Sequence, residues 1–525
     1  MSLAKMICKL RTDSNMSQAK FAETFGVTPQ AVQKWESGES SPSVDKIIAI
    51  AQRFGVSIDA LLLDRNERLK EELSYNRKVK PKYASLHPWE AYWCNLSTEY
   101  RQCIEEGLDI EAYSELFNAV VILPNDENKK RLSDVIFDIV RGSNVRDGYP
   151  YMEPSDIELI KNLREPYPIS KKELGYDILK DKIHGAWMGR ICGCMLGKTV
   201  EGINTSELHA LLKKSGNYPM HRYILSSDLD EEIIKNTGFP LASRPYIDQL
   251  DGMPVDDDTN YVVLAQELIS RYGRDFTPYD LSRIWLSLQS KDAYCTAERV
   301  AFVNFVKGYE PPESAIYKNP YREWIGAQIR GDYFGYINPG DPETAADMAF
   351  RDACVSHVKN GIYGEMLASA MIASAACCDS MTDVVRSAAA QIPSTSRLYE
   401  RVMDIVSRYE NSESAEAVFE YIHTLYDENN GHDWCHTISN AMIVVASLLY
   451  GEGDFGKSVC MAVQTGFDTD CNGATVGSVV GMMYGLSAIG KEWSEPMRDT
   501  LYTSVFGVGK VKISDRVEMT MKHIK

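Results

Sequence analysis

A glycine-rich segment at 183–202 constrains the fold of this chain more than any other feature. Glycine, alanine and cysteine recur along it at helical spacing, and small side chains on one helix face let a neighbouring helix approach very closely. A second apolar, glycine-rich segment at 475–488 predicts another buried helix. After residue 179 no strand pattern of comparable strength competes with these helical patterns. The sequence therefore predicts an all-α fold for the C-terminal part.

Two acidic clusters open apolar runs that lie far apart in the chain. Each places carboxylates where a helix begins, a position that Asp also favours simply as an N-cap. Groups of hard oxygen donors fixed at helix starts also suit Mg²⁺, which prefers carboxylates and water. We therefore expect the two clusters to converge into one Mg²⁺ site, with Mn²⁺ as the alternative ion. The predicted metal ligands are Asp256, Asp257, Asp258, Asp468 and Asp470.

Composition indicates a globular protein of a few domains. Of the 525 residues, 44% are hydrophobic and 25% charged, values that are ordinary for such proteins. The net charge of −18 argues against general nucleic-acid or membrane-surface binding, although a small DNA-reading module is compatible with it. We find no apolar signal segment and no membrane-spanning run, and the twelve cysteines lack a repeated CxxC frame. We therefore expect a cytoplasmic protein with reduced thiols and no membrane partner.

Residues 5–63 contain a compact set of short helices. Gly26 ends one predicted helix, and Thr28 with Pro29 then caps and opens the next. This layout is a helix-turn-helix, in which the second helix presents polar residues to the major groove of DNA. The alternative is a helical protein-interaction module that does not bind DNA.

The motifs Met16-Ser17-Gln18, Gly26-Val27 and 30–36 resemble the Cro/C1-type (XRE) family of DNA-binding domains. The resemblance covers residues 5–63 and implies binding to double-stranded DNA, with a homodimer as the expected form. Glutamine side chains can pair with adenine, and a lysine can contact phosphate. The positions that match DNA-facing residues of the family are Gln18, Thr28, Gln30, Gln33 and Lys34.

Three regions are predicted along the chain. Residues 1–66 form the helix-turn-helix domain, 67–175 a linker and helical spacer, and 176–525 an all-helical domain. The linker includes a basic run at 77–82, and such runs are more often solvated linkers than DNA contacts. The spacer carries helix-period apolar runs, without a catalytic pattern, at 96–107, 110–123 and 128–140.

The glycine-rich opening helix, the Asp-Asp-Asp-Thr cluster and Gly-Phe-Asp-Thr-Asp together resemble three signatures of the ADP-ribosylglycohydrolase family, in the family's order. The resemblance implies an all-helical fold with two Mg²⁺ ions and hydrolysis of the glycosidic bond of an ADP-ribosyl or related ribosyl group. It matches Asp257 and Asp258 to the upstream metal acids, and Asp468 and Asp470 to the downstream pair. Glu201 matches an acid beside the metals, and we predict Glu201, Asp257 and Asp258 as the catalytic residues.

Two positions depart from the family pattern. Many members have threonine where this chain has Asp256 and Cys471. Asp256 still offers oxygen, whereas sulfur is a poor Mg²⁺ donor. Water can fill that coordination position, or the site can hold a single ion. An alternative function therefore stays open, namely a non-catalytic, ligand-sensing transcription regulator that binds a nucleotide-sugar without turnover.

A segment at 329–343 is predicted to be turn-rich and lies where the family has a glycine-rich loop for the diphosphate of ADP-ribose. Asp341 and Glu343 would repel phosphate, which leaves the diphosphate part of the ligand open. His357 belongs to a stretch that resembles the family's substrate-side helix, although a structural role for this histidine is equally compatible. The predicted substrate-binding residues are Asn338, Pro339, Gly340, His357 and Tyr363.

Overall fold

The computed structural model describes residues 3–56, 58, 61, 86–170 and 172–524. The chain divides into two compact units, Met1–Tyr83 and Ala84–Lys525, with separate hydrophobic cores. Helices dominate the described residues, where two strands of three residues are the only strands, and the all-α class is confirmed. No helix within these ranges combines the length and apolarity needed to cross a bilayer.

The described helices of the N-terminal unit are α1 (Leu3–Asp13), α2 (Gln18–Phe25), α3 (Pro29–Ser37) and α4 (Val44–Phe54). The side chains of Ser17 and Thr28 cap α2 and α3, and Gly26 ends α2 in the left-handed conformation. The core between the helices is apolar and contains Ile7, Phe21, Val32, Trp35 and Ile50. Of the sequence predictions for 57–82, only residues 58 and 61 fall within the described part of the chain.

The helices of residues 86–170 are α5 (Leu96–Glu105), α6 (Ser114–Val121), α7 (Glu127–Gly142) and α8 (Ile157–Asn162). They are followed by α9 (Tyr176–Lys198), α10 (Thr205–Lys214), α11 (Glu231–Asn236), α12 (Asp257–Tyr272), α13 (Pro278–Leu288), α14 (Thr296–Val306), α15 (Glu313–Ile316), α16 (Asp332–Tyr336) and α17 (Pro342–Ala353). The last group is α18 (Asn360–Ala375), α19 (Met381–Ala389), α20 (Arg397–Glu410), α21 (Ala415–Leu425), α22 (Gly431–Cys435), α23 (Thr437–Tyr450), α24 (Phe455–Gln464), α25 (Thr469–Tyr484), α26 (Lys491–Ser494) and α27 (Ile513–His523). Strands β1 (Thr500–Tyr502) and β2 (Lys510–Lys512) pair antiparallel before α27.

Residues 86–170 are joined to the rest of the second unit by buried polar contacts. Arg322 pairs with Glu99 at 3.0 Å and with Glu106 at 2.6 Å, and all three side chains are less than a tenth exposed. Gln102 donates a hydrogen bond to Glu323 at 2.6 Å. The region that the sequence analysis described as a spacer therefore shares buried contacts with the all-helical domain.

The segment 329–343 is less turn-rich than predicted, since it contains α16. A β-carbon on Gly331 or Gly335 would overlap the backbone of α18, so these glycines let α16 pack directly onto that helix. The aromatic side chains of α16 are fully buried, namely Tyr333, Phe334 and Tyr336. Glycines that the sequence analysis assigned to turns serve close helix packing instead.

The antiparallel pair of α9 and α25 is the closest-packed part of the second unit. Glycines repeat every fourth residue on α9, at Gly185, Gly189, Gly193 and Gly197. A β-carbon on any of them would overlap backbone atoms of α25, at Gly481, Gly477, Gly473 and Thr469 in that order. The sequence prediction of a very close helix contact is therefore confirmed for this segment.

We expect Gly193→Ala to lower the free energy of unfolding by about 2–3 kcal/mol, because the new methyl group must push two backbones apart. Thermal and urea unfolding of the full chain measure the effect. Gly142→Ala is the matched control, since nothing lies within 4 Å of a β-carbon there and the residue ends α7. Equal stability of the two variants would contradict the account of this interface.

Candidate active site

Three helix ends meet at the two acidic clusters. Helices α12 and α25 begin here, and Lys198, the last residue of α9, pairs with Asp256 at the same place. Atoms of Asp258, Asp470 and Cys471 that could hold a metal lie within 4.8 Å of one another. The structure thus brings the upstream and the downstream acids into one buried cluster.

Asp256 and Asp468 occupy equivalent N-cap positions but behave differently. Asp256 Oδ1 accepts a hydrogen bond from the backbone N–H of Asp258 at 2.9 Å, so it is an N-cap of α12. Asp468 makes no side-chain capping bond, and Phe467 before it has a φ of +57°, which is uncommon for a residue other than glycine. The Asp468 carboxylate instead interacts with the side chains of Asp470 and Cys471.

Arg190 is the fully buried cation of the site. Its guanidinium donates to Asp258 Oδ1 at 2.9 Å and to the Ile329 carbonyl oxygen at 2.6 Å, and it pairs with Asp332 at 2.8 Å. Burial opposes its charge, but Asp332 and Asp258 raise the pKa of Arg190. One oxygen of Asp258 is thereby fixed, whereas Oδ2 has no hydrogen-bond partner among the described residues.

Lys198 is the second cation, and its ammonium pairs with Asp256 Oδ2. Although burial opposes the charge, Asp256 and Asp470 raise the pKa of Lys198, so the side chain stays protonated. Neither Lys198 nor Arg190 was predicted from the sequence as a site residue. Their position in an apolar, glycine-rich helix could have identified them, because a lysine or arginine that is buried there requires an acidic partner.

The remaining carboxylates repel one another. Burial, followed by the charges of Asp256 and Glu201, raises the pKa of Asp257 to about 8. Burial and Glu201 also raise the pKa of Asp468 to about 7. The pKa of Asp470 lies well above its ordinary value, with burial as the largest cause. A divalent cation favours the ionised form of such a group of carboxylates.

The donor set fits a cation bound by oxygen. Asp258 Oδ2 and Asp470 Oδ1 are buried and have no hydrogen-bond partner among the described residues, so each has a free lone pair for a cation or water. Asp257 and Asp468 bring further carboxylates to the cluster. Asp256 is the least available of the five predicted ligands, because Lys198 and its own helix cap take its two oxygens.

Glu201 lies at the solvent edge of the cluster. Its side chain is 39% exposed and pairs with Arg244 at 3.2 Å. Arg244 also donates to the carbonyl oxygen of Thr199 at 3.3 Å, which fixes the guanidinium. Since Glu201 raises the pKa values of both Asp257 and Asp468, it is an accessible carboxylate close to the half-buried Asp257 and the buried Asp468.

Four cysteines with free thiols surround the acids, namely Cys194, Cys295, Cys435 and Cys471. Burial is the largest cause that raises the pKa of each thiol. Only Cys471 was predicted from the sequence to lie at the site, because the other three cysteines are spread along the chain without metal-ligand spacing. Cys194 Sγ lies within 4.8 Å of ligand atoms of Asp256 and Asp258.

Asn338, Pro339 and Gly340 lie apart from the acids. The hydroxyl of Tyr336, two residues earlier, donates to the carbonyl oxygen of Ala186 at 3.3 Å. Ala186 precedes Lys198 by twelve residues on α9, which is about 18 Å along the helix axis. Asn338 and Pro339 line a separate cavity of about 340 Å³ with Arg274 and Arg351.

His357 and Tyr363 lie at the N-terminal end of α18, and both contact other residues of the protein interior. His357 is fully buried, its Nδ1 shares a hydrogen bond with Ser356 Oγ at 2.8 Å, and burial lowers its pKa well below the ordinary value. Its Nε2 has no hydrogen-bond partner among the described residues and lies 3.9 Å from Glu298. The hydroxyl of Tyr363 donates to the carbonyl oxygen of Pro154.

Glu105, from α5, joins two histidines before α23. His432 Nε2 lies 3.1 Å and His436 Nε2 3.6 Å from Glu105 Oε2. The other ring nitrogens accept hydrogen bonds, His432 Nδ1 from Trp324 Nε1 and His436 Nδ1 from the backbone N–H of Ile438, each at 3.1 Å. In the neutral rings each Nε2 therefore carries the proton; His432 donates it to Glu105, whereas His436 Nε2 lies beyond hydrogen-bond distance and has no hydrogen-bond partner among the described residues. The trio is therefore a polar clamp instead of a metal site, because a protonated Nε2 cannot bind a metal.

The clamp formed by Glu105, His432 and His436 helps to position the second acidic cluster through α23. Although burial opposes ionisation, His432 and His436 lower the pKa of Glu105 to about 2, so the carboxylate stays charged. Helix α23 begins beside the clamp, and Asn440 on its first turn accepts hydrogen bonds from the backbone N–H of Asp468 at 3.2 Å and from Asn472 at 2.8 Å. Residues 86–170 thus help to position the second acidic cluster.

The predicted DNA-facing residues of the N-terminal unit are mostly exposed. Gln30, Gln33 and Lys34 project from α3 into solvent, and Thr28 is exposed while it caps that helix. Gln18 differs, because it is half-buried and donates to Glu36 at 2.7 Å.

Comparison with known proteins yields matches for both units. A family model described as ADP-ribosylglycohydrolase matches residues 176–519, and one described as helix-turn-helix matches residues 9–61. The HTH-type transcriptional activator BcrR of Enterococcus faecalis is 37% identical over 62 residues, which cover 12% of this chain and 30% of that protein. The cryptic phage CTXphi transcriptional repressor RstR of Vibrio cholerae serotype O1 is 30% identical over 73 residues, which cover 13% of this chain and 65% of that protein.

This chain therefore spans less than two thirds of the length of these curated relatives. Among solved structures, an ADP-ribosylglycohydrolase-related protein complex aligns with 17% sequence identity and a TM-score of 0.40, covering 66% of this chain and 98% of that one. Because the family model spans more than half of its residues, the chain belongs to the ADP-ribosylglycohydrolase family, and it carries an N-terminal helix-turn-helix domain of the XRE type.

Proposed function

We propose that this chain is a Mg²⁺-dependent hydrolase that cleaves the glycosidic bond of an ADP-ribosyl or related ribosyl group, coupled to sequence-specific DNA binding. The observation that carries the proposal is the pair of unpartnered oxygens, Asp258 Oδ2 and Asp470 Oδ1, where α12 and α25 begin in a chain of this family. Mn²⁺ is the alternative ion, and the substrate is an ADP-ribosylated or ribosylated protein side chain or small molecule.

The metal would be held by Asp257, Asp258, Asp468 and Asp470, with Asp256 in a supporting role through Lys198. Two bound Mg²⁺ ions would supply Lewis acidity, which orients ribose hydroxyls and lowers the pKa of a bound water. Arg190 keeps one oxygen of Asp258 in place and so leaves the other free for the ion. The donor set alone supports this assignment.

Glu201 is the proposed general base. Its carboxylate is accessible and close to the buried acids, so it can accept the proton of a water that attacks the anomeric carbon. The water oxygen forms the new bond to that carbon, and the leaving group departs with the electron pair of the glycosidic bond. The surrounding carboxylates favour the positive charge that develops on the sugar ring.

A ligand-sensing regulator without turnover is the second candidate. The observation that favours it is the ion pair between Glu201 and Arg244, which restrains the proposed base. The thiol of Cys471 at a predicted metal position favours it as well, because sulfur is a poor Mg²⁺ donor.

Turnover separates the two candidates. Purified full-length chain is incubated with Mg²⁺ and a panel of ADP-ribosylated substrates and nucleosides, and products are followed by mass spectrometry. We expect multiple turnovers by the wild type and a loss of at least about a hundredfold in Glu201→Gln and Asp468→Asn. Asp379→Asn, whose carboxylate is 86% exposed, is the control and should keep the wild-type rate. A wild-type rate equal to that of the two site variants, with nucleotide binding intact, would favour the sensor.

For the N-terminal unit we propose that α3 enters the major groove of a short, two-fold symmetric DNA site, bound by a homodimer in the cytoplasm. The exposed amides of Gln30 and Gln33 suit adenine, and Lys34 suits phosphate.

We expect Gln33→Ala to lose sequence preference, and Lys34→Ala to weaken binding to all sequences and reduce the salt slope by about 1. Selection from a random duplex pool, followed by binding measurements at several salt concentrations, tests both variants. Lys9→Ala, on the exposed face of α1, is the control for loss of a positive charge. A selection that enriches no motif would favour the protein-interaction module.

A further inference from the structure

A thiol lies among the unpartnered oxygens of the acidic cluster. Ligand atoms of Asp258, Asp470 and Cys471 lie within 4.8 Å of one another, and all three residues are buried. We propose that they form a mixed oxygen–sulfur position that takes a thiophilic divalent cation, such as Zn²⁺ or Co²⁺, with Cys471 Sγ as a direct ligand. This inference rests on the proposed function, because it assigns the ion at one of its two metal positions.

The spacing of the three ligand atoms suits one ion. Zinc binds sulfur at about 2.3 Å and carboxylate oxygen at about 2.0–2.2 Å, so two ligands on opposite sides of one ion lie at most about 4.5 Å apart. The three ligand atoms all lie within 4.8 Å of one another, a bound close to this separation. Asp470 and Cys471 are neighbours on the first turn of α25, which holds their backbones in a fixed relation.

Free lone pairs distinguish this position from the neighbouring one at Cys194. Asp258 Oδ2 and Asp470 Oδ1 are buried without hydrogen-bond partners among the described residues. Cys194 also lies near Asp258, but the third member of its group is Asp256, whose oxygens are taken by Lys198 and by the backbone N–H of Asp258. The geometry therefore assigns the metal–sulfur bond to Cys471.

Ligand chemistry then sets the choice of ion. A thiol is a soft ligand that favours Zn²⁺ or Co²⁺, whereas Mg²⁺ favours oxygen and water. On binding, the Sγ–H bond of Cys471 breaks, its proton passes to solvent, and the sulfur electron pair forms the metal bond. Asp257 and Asp468 would remain an oxygen-only position for Mg²⁺, so the two positions differ in the ion they prefer.

The absorption spectrum of bound Co²⁺ shows directly whether a sulfur atom is one of its ligands. Co²⁺ is added to the full chain after treatment with a chelator, and the near-ultraviolet absorption of a cobalt–thiolate bond is recorded beside calorimetric titration. We expect a cobalt–thiolate band in the wild type and its loss in Cys471→Ser. We also expect Cys471→Ser to weaken Zn²⁺ and Co²⁺ binding by about tenfold or more, and Mg²⁺ binding by less than about threefold.

Cys194→Ser and Cys460→Ser are the controls, the second at a buried thiol on α24. Both should keep the band, and a band that survives in Cys471→Ser would overturn the proposal. Calorimetric binding of Co²⁺ without a band would also overturn it, while the oxygen site of the proposed function would stand. Absence of Co²⁺, Zn²⁺ and Mg²⁺ binding would overturn both. Circular dichroism of each variant shows whether it is folded, and Cys471→Thr replaces Cys471→Ser if the serine variant unfolds.

Discussion

Backbone contact between α9 and α25 is the constraint on which the site depends. Four glycines on α9 face Gly473, Gly477 and Gly481 of α25, so no side chain at these positions separates the two helices over about three turns. The contact ends at Gly197, which touches Thr469 and Asp470. Close packing of this kind fixes the distance between helices far more narrowly than a layer of flexible side chains does. The end of α9 and the start of α25 are thereby held together, and with them Lys198 and the downstream acids.

The cluster of acids is tolerated in the interior because two cations share its charge. Arg190 is fully buried and pairs with both Asp258 and Asp332, and the partly exposed Lys198 pairs with Asp256, so two positive charges face three carboxylates. Removing one partner of a buried pair costs more than the pair itself contributes, so these cations are structural requirements of the site. The remaining carboxylates, Asp257, Asp468 and Asp470, have raised pKa values, first because of burial and then because of neighbouring negative charges. A divalent cation would favour the ionised form of these carboxylates.

Local signals allowed the sequence to predict the helices and the acidic clusters, whereas long-range contacts carried no signal. Glycine spacing predicted the packing of α9, and Thr28 and Gly26 predicted the ends of the N-terminal helices. The contact between Glu105 and His432 in the clamp joins residues that are 327 positions apart, and no sequence motif predicts such a contact. Gly331 and Gly335 were assigned to turns because glycine permits both a turn and a close helix contact. The position of Asn338 followed from the path of α16, which only tertiary packing determines.

The central claim is that the starts of α12 and α25 form one divalent-metal site. Anomalous diffraction from crystals of the full chain grown with Mn²⁺ tests it most directly, because the map locates the ion without reference to activity. The account predicts anomalous density between the carboxylates of Asp258 and Asp470, with further density beside Asp257 and Asp468. A well-ordered site with no anomalous density at saturating Mn²⁺, or density confined to other acidic residues, would contradict it.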